Sequence, residues 1–309
     1  MMHDVLIIGG GPGGLAAAIY STRAGAKTLL IDRVGPGGQA AMTEKIENYP
    51  GFPQGIGGLE LTDAMAEQAK KFGLKIESGD VASIARGPER GFTITTRGES
   101  FQGLAVVLAC GSVHKHLGVP GEDKFFGRGV HYCATCDGPF YKNKHVAVVG
   151  GGDSAIEEAL FLSKFASKIT LVHRRDSLRA TRILQDRIQS NPKAGFLWNS
   201  EVAEILGENS VNAVKIKNRA SGETSVHAVD GVFVFAGLLP DTGFLRGFIE
   251  LDKDGYIVTD DEMRASVPGI FACGDARKKP LRQVITACGD GAVAGVFAAR
   301  FAEEAGRST

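Results

Sequence analysis

The chain contains two copies of one short pattern, and this repeat limits the possible folds more than any other feature of the sequence. In the first copy, an apolar run at residues 5–8 leads through a glycine-rich turn at residues 9–14 into a helix-forming stretch that ends at Arg23. In the second copy, the apolar run lies at residues 146–149 and the turn at residues 150–155. A strand, a glycine turn and a helix in this order are typical of a nucleotide-binding α/β unit. The sequence therefore predicts two such units in one chain.

The small residues of both turns have the spacing of a dinucleotide-binding motif. The pattern G-x-G-x-x-G, with Gly or Ala in the last place, is met by Gly9, Gly11 and Gly14 in the first copy and by Gly150, Gly152 and Ala155 in the second. These residues permit a tight turn, close approach of the backbone to a diphosphate, and close packing of helix on strand. The chain has 42 glycines, roughly twice the usual share, so the pattern alone also fits an ordinary turn. Its place between strand and helix favours a dinucleotide.

The residue that ends the second strand of each unit distinguishes the two expected ligands. Asp32 lies 23 residues after Gly9, and His173 lies 23 residues after Gly150. A carboxylate at this place bonds ribose hydroxyls, whereas the second unit has His173, Arg174 and Arg175 there, with Arg179 four residues further on. Arginines can hold an additional phosphate by charge-assisted hydrogen bonds, although a run of arginines also fits a solvated face. The sequence predicts NADPH rather than NADH in the second unit.

Two of the five cysteines stand close together between the two units. Cys133 and Cys136 form a Cys-x-x-Cys pair, and Asp137 follows directly. A disulfide that closes so short a loop contributes only about 2 kcal/mol by chain entropy, which favours a chemical role over a structural one. The carboxyl of Asp137 is placed to handle the proton that a thiol gains or loses during exchange. The alternative is half of a zinc site, but Cys110, Cys273 and Cys288 stand apart from the pair.

Composition and charge exclude several other classes of function. Lys plus Arg equal Asp plus Glu at 35 each, so no overall basic field would attract nucleic acid. The first residues show no signal-peptide pattern, and no uninterrupted apolar run reaches the 18 residues of a spanning helix. We therefore expect no membrane and a cytoplasmic location, where a Cys-x-x-Cys pair is more often catalytic than structural.

The length of 309 residues favours two domains, and the fold class predicted is α/β with two Rossmann-like dinucleotide-binding domains. Polar segments rich in glycine and proline at residues 112–121 and 238–243 are the expected crossings between them. Residues 283–301 should form a helix with small residues on one face. The strand before Gly274 and Asp275 can place a carboxylate on a polyol chain such as ribityl, although a turn or cap aspartate is the alternative.

Together these residues resemble the family of low-molecular-weight NADPH-dependent thioredoxin reductases over nearly the whole chain. The most specific match is residues 133–138, followed by residues 150–155 with the arginines described above. The resemblance implies that FAD is bound by Gly9, Gly11, Pro12, Gly14, Asp32, Gly38, Gln39, Asn48, Gly111, Gly274, Asp275, Arg282, Gln283 and Val284. It implies that NADPH is bound by Gly152, Asp153, Ser154, His173, Arg174, Arg175 and Arg179.

The resemblance also implies an architecture and an activity. The FAD domain would be discontinuous, made of residues 1–116 and 244–309, and residues 117–243 would form the NADPH domain that carries the dithiol. Electrons would pass from NADPH through FAD and the Cys133/Cys136 disulfide to thioredoxin or a thioredoxin-like protein, with Asp137 as the acid and a homodimer as the assembly. The family commonly has Thr where this chain has Cys110, and Arg where it has Lys115. Both positions lie near the expected FAD, so they bear on the flavin environment.

Three alternatives stay open at this stage. A flavoprotein reductase of a peroxiredoxin system resembles this chain, but it carries additional thioredoxin-like domains before the FAD strand. A dithiol oxidase that passes electrons to oxygen should lack a working NADPH site, and the arginines after His173 argue against it. A flavin-binding protein without enzymatic activity would not need a dithiol followed by an acid.

Overall fold

The computed structural model describes residues 2–87 and 90–307, and these divide into two compact units. One unit contains the residues through Val113 and those from Leu239 onward, and the other is His114–Leu238. The crossings predicted from the sequence, at 116/117 and 243/244, lie a few residues from these divisions.

The elements are as follows. The chain begins with β1 (Met2–Ile8), α1 (Pro12–Arg23), β2 (Thr28–Asp32), α2 (Gly38–Ala41), α3 (Gly58–Lys71), β3 (Lys75–Ser78), β4 (Val81–Arg86), β5 (Phe92–Thr96), β6 (Ser100–Leu108) and β7 (Ser112–His114). It continues with β8 (Val130–His131), α4 (Ala134–Asp137), β9 (His145–Val149), α5 (Asp153–Leu162), β10 (Lys168–Val172), α6 (Arg182–Gln189), β11 (Ala194–Leu197), β12 (Ser200–Gly207), β13 (Val211–Asn218), β14 (Thr224–Ala228) and β15 (Gly231–Val234). It ends with β16 (Leu238–Pro240), β17 (Ile270–Ala272) and α7 (Val284–Arg307), and short 3-10 helices lie at Gly138–Tyr141, Gly243–Leu245 and Gly274–Ala276.

The first unit is built on a seven-stranded sheet in the order β3-β2-β1-β6-β5-β4, with β17 also paired to β6. The strands β3, β2, β1, β6 and β17 run parallel, whereas β4 and β5 are antiparallel additions. Val5, Leu6 and Ile7 are fully buried. A continuous apolar run is what a parallel strand needs when both of its faces are covered. The predicted first unit, a strand followed by a glycine turn and a helix, is therefore confirmed.

The second unit repeats this plan with a five-stranded parallel sheet in the order β11-β10-β9-β15-β8. A separate antiparallel sheet, β12-β13-β14, follows β11 along the chain. The glycine turn at residues 150–152 joins β9 to α5, as the sequence pattern predicts. Both units are thus α/β folds with helices against a parallel sheet, and the predicted Rossmann-like class is confirmed.

The helix α7 has the small-residue face that the sequence predicts, and this face packs on α1. A Cβ atom added at Gly291 would lie 2.1 Å from the carbonyl oxygen of Gly13, and one added at Gly295 would lie 2.4 Å from that of Ala17. Among the described residues, α7 is the one helix whose length and apolar composition would allow it to cross a membrane, judged by these two properties alone. In the structure its small residues make the contact with α1 inside the first unit.

Candidate active site

The glycine turn after β1 has the shape of a diphosphate cradle. Gly9 has a φ of 104°, and a Cβ there would lie 2.2 Å from the carbonyl oxygen of Ala109. A Cβ at Gly14 would lie 1.9 Å from the carbonyl oxygen of Gly9. At Gly11, by contrast, the nearest atom to an added Cβ is 3.9 Å away, in Gly38. The outer glycines are therefore required by packing, whereas Gly11 leaves room where a ligand can approach the backbone.

The second glycine turn divides its roles in the same way. Gly150 has a φ of 152°, and a Cβ there would lie 2.5 Å from the carbonyl oxygen of Phe235 and 2.7 Å from the Cβ of Ala155. No atom lies within 4 Å of a Cβ added at Gly152, the middle position of the motif. Both turns thus combine two positions closed by packing with one open backbone position at the start of a helix, where N–H groups favour an anion.

Asp32 ends β2 and lies over the first glycine turn. Its Oδ2 accepts a hydrogen bond of 2.6 Å from the backbone N–H of Gly10. Its Oδ1 accepts from the N–H groups of Val34 and Gly35 at 3.0 and 2.8 Å. The carboxylate is therefore held at the turn by three backbone donors, at the place where the sequence predicts a ribose contact.

Several other residues predicted to bind FAD lie around this turn in the first unit. A Cβ added at Gly38 would be 3.0 Å from the Cα of Gly11, and one added at Gly13 would be 3.6 Å from the Cα of Gly274. The side-chain amide of Asn48 donates to that of Gln283 at 3.1 Å, just before α7 begins at Val284.

The remaining predicted FAD residues have local roles that the structure defines. Gln39 donates from Nε2 to the carbonyl oxygen of Ser112 at 3.4 Å, next to Gly111, and Pro12 is the first residue of α1. Arg282 stacks on the ring of Tyr256, 4.0 Å from its centroid. Burial raises the pKa of the Asp275 carboxyl, and Arg282 and Lys279 oppose this shift.

A partly buried ion cluster that the sequence pattern did not reveal supports the loop at Gly274. Asp290 of α7 contacts Arg277 Nη1 at 3.0 Å and Lys279 Nζ at 2.6 Å, and it also accepts from the backbone N–H of Gly274 at 3.2 Å. The signal in the sequence was one carboxylate, Asp290, in the apolar first half of the helix, and a helix pattern cannot show which distant cations it meets.

In the second unit, the loop that carries the predicted NADPH-binding arginines is tied to the glycine turn. The backbone N–H of Arg179 donates to the carbonyl oxygen of Gly151 at 2.7 Å, and Asp153 Oδ1 accepts from the N–H of Thr181 at 2.6 Å. Arg174, Arg175 and Arg179 are exposed, and over the described ranges none of them is within ion-pair distance of a carboxylate. The loop that follows β10 therefore presents three exposed arginines whose guanidinium groups are not ion-paired. Ser154, another predicted NADPH contact, lies in the first turn of α5.

His173 differs from the arginines because its imidazole is buried. It is 3% exposed, and its Nε2 has no hydrogen-bond partner among the described residues. Burial lowers the pKa of His173, and the positive charges of Arg179, Arg175 and Arg174 lower it further. The imidazole is therefore neutral near pH 7, so positive charge at this site comes from the arginines.

The two cysteines predicted to be redox-active are joined as a disulfide in the second unit. Cys133 caps the short helix α4, and its Sγ accepts from the backbone N–H of Cys136 at 3.1 Å. Glu158 of α5 accepts from the N–H of Ala134 at 3.0 Å and so ties α4 to the helix of the second cradle. In the part of the chain that the structure describes, no group of three or more His, Cys, Asp or Glu side chains could hold a metal ion.

The acid next to the disulfide has a partner that the sequence analysis did not single out. Asp137 Oδ2 lies 3.0 Å from Nδ1 of His131, and the Nε2 of this imidazole lies 2.7 Å from the hydroxyl of Tyr141. His131 lies on β8, Asp137 on α4, and Tyr141 at the end of the 3-10 helix Gly138–Tyr141. Their contact depends on how the chain folds back at Gly138, which residue spacing alone does not show.

Of the other three cysteines, Cys273 is buried, whereas Cys110 and Cys288 are partly buried. Burial raises the pKa of Cys110 to about 12, and it raises the pKa values of Cys273 and Cys288 as well. Such thiols are rarely ionised and behave as small apolar residues.

Two nucleotide cradles on parallel sheets and a disulfide beside a carboxylate define an oxidoreductase of the α/β class. The chain belongs to the family described as pyridine nucleotide-disulphide oxidoreductase, which matches residues 3–291. It is 48% identical to a thioredoxin reductase of Listeria innocua over 307 residues, 98% of this chain and 95% of that protein. It is 47% identical to a thioredoxin reductase of Treponema pallidum over 299 residues, 97% of each chain. The crystal structure of Lactococcus lactis thioredoxin reductase in its FR conformation has a TM-score of 0.95, with 44% identity and coverage of 98% of this chain and 99% of that one.

Proposed function

We propose that the protein is an NADPH-dependent thioredoxin-disulfide reductase that uses FAD. The observation that carries this proposal is the Cys133–Cys136 disulfide, with Asp137 beside it, in the same unit as a nucleotide cradle flanked by unpaired arginines. A disulfide reductase needs a redox disulfide, a proton donor and a source of electrons, and these features would supply all three. The thioredoxin reductases that match nearly the whole chain support this choice of substrate.

The two cradles fit different cofactors. In the first unit, the open position at Gly11 and the carboxylate of Asp32 suit the diphosphate and ribose of FAD. In the second unit, the open position at Gly152 and the three arginines suit NADPH. Bound there, FAD and NADPH supply the hydride chemistry that side chains lack. The chain's own residues hold the diphosphates, select the phosphorylated ribose and manage the protons of the dithiol.

The exchange with a substrate disulfide balances if Asp137 passes protons in both of its steps. The carboxylate first takes the proton of one enzyme thiol, and the resulting thiolate attacks one sulfur of the substrate. The substrate's other sulfur leaves as a thiolate and takes the proton from Asp137. The second enzyme thiol then loses its proton to Asp137, and its thiolate attacks the enzyme sulfur of the mixed disulfide. The departing substrate sulfur takes this proton, so two electrons and two protons reach the substrate.

The alternatives predict different electron acceptors. A reductase of a peroxiredoxin system would act on another disulfide partner, and a dithiol oxidase would pass electrons to oxygen. The unpaired arginines at the second cradle argue against an oxidase because it has no need of NADPH. The homodimer is a prediction from the family resemblance, and the cytoplasmic location is a prediction from the sequence pattern.

Separate half-reactions test the proposal. The purified protein, loaded with FAD, is mixed anaerobically with NADPH, and flavin reduction is followed by absorbance before oxidised thioredoxin is added. Cys133→Ser and Cys136→Ser should leave flavin reduction intact and abolish thioredoxin reduction, because the dithiol lies after the flavin in the electron path. Thr135→Ser, between the two cysteines, is the matched control and should retain both flavin reduction and thioredoxin reduction. Thioredoxin turnover near the wild-type rate in either cysteine variant would contradict the proposal.

A further inference from the structure

His131 is held in one position by packing on both sides of its ring. It ends β8, where it pairs with Phe233 of β15, and the two rings stack with centroids 5.1 Å apart. Tyr141 packs edge-on against the imidazole at 5.4 Å. The residue is 8% exposed. Its two ring nitrogens therefore point at fixed partners, Asp137 and Tyr141.

These contacts determine which ring nitrogen carries the proton. An ionised carboxylate can only accept hydrogen bonds, so Nδ1 of His131 must donate to Asp137 Oδ2. Burial raises the pKa of Tyr141 to about 12, so its hydroxyl keeps its proton and can donate to Nε2. Burial also lowers the pKa of His131, although Asp137 opposes this shift, so the imidazole carries one proton near pH 7. The tautomer assigned from this network is Nδ1–H.

The geometry points to His131 as the positioning residue of Asp137, holding its carboxylate in one orientation beside the Cys133–Cys136 disulfide, with Tyr141 fixing the tautomer. This inference rests on the proposed function, in which Asp137 takes and returns the protons of the dithiol. The Nδ1–H group of His131 holds Oδ2, so the carboxylate keeps one orientation as it takes and returns protons. His131 touches neither sulfur, so it acts through Asp137.

Other charged groups near this network are few. From the segment that follows the 3-10 turn, Lys144 places its Nζ 5.2 Å from the centre of the Tyr141 ring. Asp230, which precedes β15, acts on Tyr141 by its charge, and Glu158 of α5 bonds the first N–H of α4. His131 has its direct hydrogen bonds to Asp137 and Tyr141. The pH dependence assigned below therefore follows the Asp137–His131 contact.

The test measures how pH affects the dithiol in His131→Leu and His131→Asn. Leucine removes both hydrogen bonds, whereas the amide nitrogen of asparagine stands in for Nδ1 and keeps a donor toward Asp137. Enzyme reduced with NADPH is mixed with oxidised thioredoxin in a stopped-flow instrument between pH 5 and 9. In His131→Leu the rate should be about tenfold lower at pH 6, because the charge-assisted hydrogen bond that orients Asp137 is lost, and it should approach the wild-type rate at pH 9. His131→Asn should restore most of the wild-type profile.

A second measurement needs no thioredoxin and separates failure of this inference from failure of the proposed function. The reduced dithiol is alkylated with iodoacetamide over the same pH range. His131→Leu should react more slowly than the wild type at pH 6 and at the same rate at pH 8.5, where a thiol loses its proton to solvent. His145→Leu removes another histidine of the same sheet, bonded to Thr170, and should leave both profiles unchanged. A His131→Leu profile that coincides with the wild type in the alkylation test, even with a lower melting temperature, or a His131→Asn variant as impaired as His131→Leu, would overturn the assignment.

Discussion

The imidazole of His173 lies directly over Gly151, where an added Cβ would be 2.4 Å from its Nδ1. The side chain that follows β10, His173, therefore packs directly on the backbone of the second glycine turn. The hydrogen bond from Arg179 N–H to the carbonyl oxygen of Gly151 ties the following loop to the same residue. A glycine outside the three positions of the motif thus fixes the arginine loop relative to the turn, so a buried neutral histidine can shape the proposed phosphate site without carrying charge.

The first prediction concerns coenzyme preference. The double variant Arg174→Ala with Arg175→Ala should lose selectivity for NADPH over NADH, because each charge-assisted contact with the 2′-phosphate is worth roughly 10- to 150-fold in affinity. The measurement is kcat/KM for flavin reduction with each coenzyme. Arg182→Ala is the control, since this arginine is also exposed but already pairs with Asp186 on α6. Equal losses with NADH and NADPH would mean that these arginines do not read the phosphate.

The second prediction separates the two kinds of position in the glycine motif. Gly152→Ala adds a methyl group that meets no atom of the protein, so stability should stay within about 0.5 kcal/mol of the wild type. The same methyl group occupies the space where a diphosphate would approach, so the Kd for NADPH should rise about tenfold or more. Gly150→Ala should instead lower the melting temperature, since its Cβ would meet the carbonyl oxygen of Phe235 at 2.5 Å. NADPH titration and thermal unfolding together check both results, and unchanged NADPH binding by Gly152→Ala would contradict the cradle.

How far the sequence predicts this molecule depends on whether a feature is local. The strands, helices and glycine turns follow from short patterns, because the turn, the packing and the apolar run lie within about twenty residues of each other. The contacts of Asp290 with Arg277 and Lys279, and of His131 with Asp137 and Tyr141, depend on how separate segments meet. The burial of His173 also depends on how separate segments meet. A histidine beside arginines suggests a charged imidazole, and only its packing over Gly151 shows that the imidazole is neutral.

The third prediction concerns stability against pH. Burial lowers the pKa of five of the seven histidines, namely His3, His114, His131, His145 and His173. Below about pH 6.5 the unfolded chain binds protons that the folded chain resists, so the free energy of unfolding should fall as pH drops from about 6.5 toward 5. Carboxylates titrate mainly below this window. Thermal unfolding at several pH values checks this, and His3→Gln should make the decline shallower. A melting temperature that stays constant from pH 7.5 to 5.5 would show that the burial of these imidazoles has no such cost.

The last prediction concerns the contact between α1 and α7. The two helices approach so closely that Gly291 faces the carbonyl oxygen of Gly13 and Gly295 faces that of Ala17. Gly295→Ala would place a methyl group 2.4 Å from a backbone oxygen, so the helices must separate. Forcing extra volume into a packed contact typically costs about 1–3 kcal/mol.

Gly289, on the same helix, provides the matched control because no atom lies within 4 Å of an added Cβ. There the substitution by alanine should stabilise the protein by about 0.5–1 kcal/mol, since glycine is a poor helix former. The two substitutions are chemically identical and lie on one helix, so helix propensity would shift both melting temperatures upward, whereas the close contact lowers only that of Gly295→Ala. Opposite signs in thermal unfolding are expected, and an increase for both variants would mean that α1 and α7 can separate without cost.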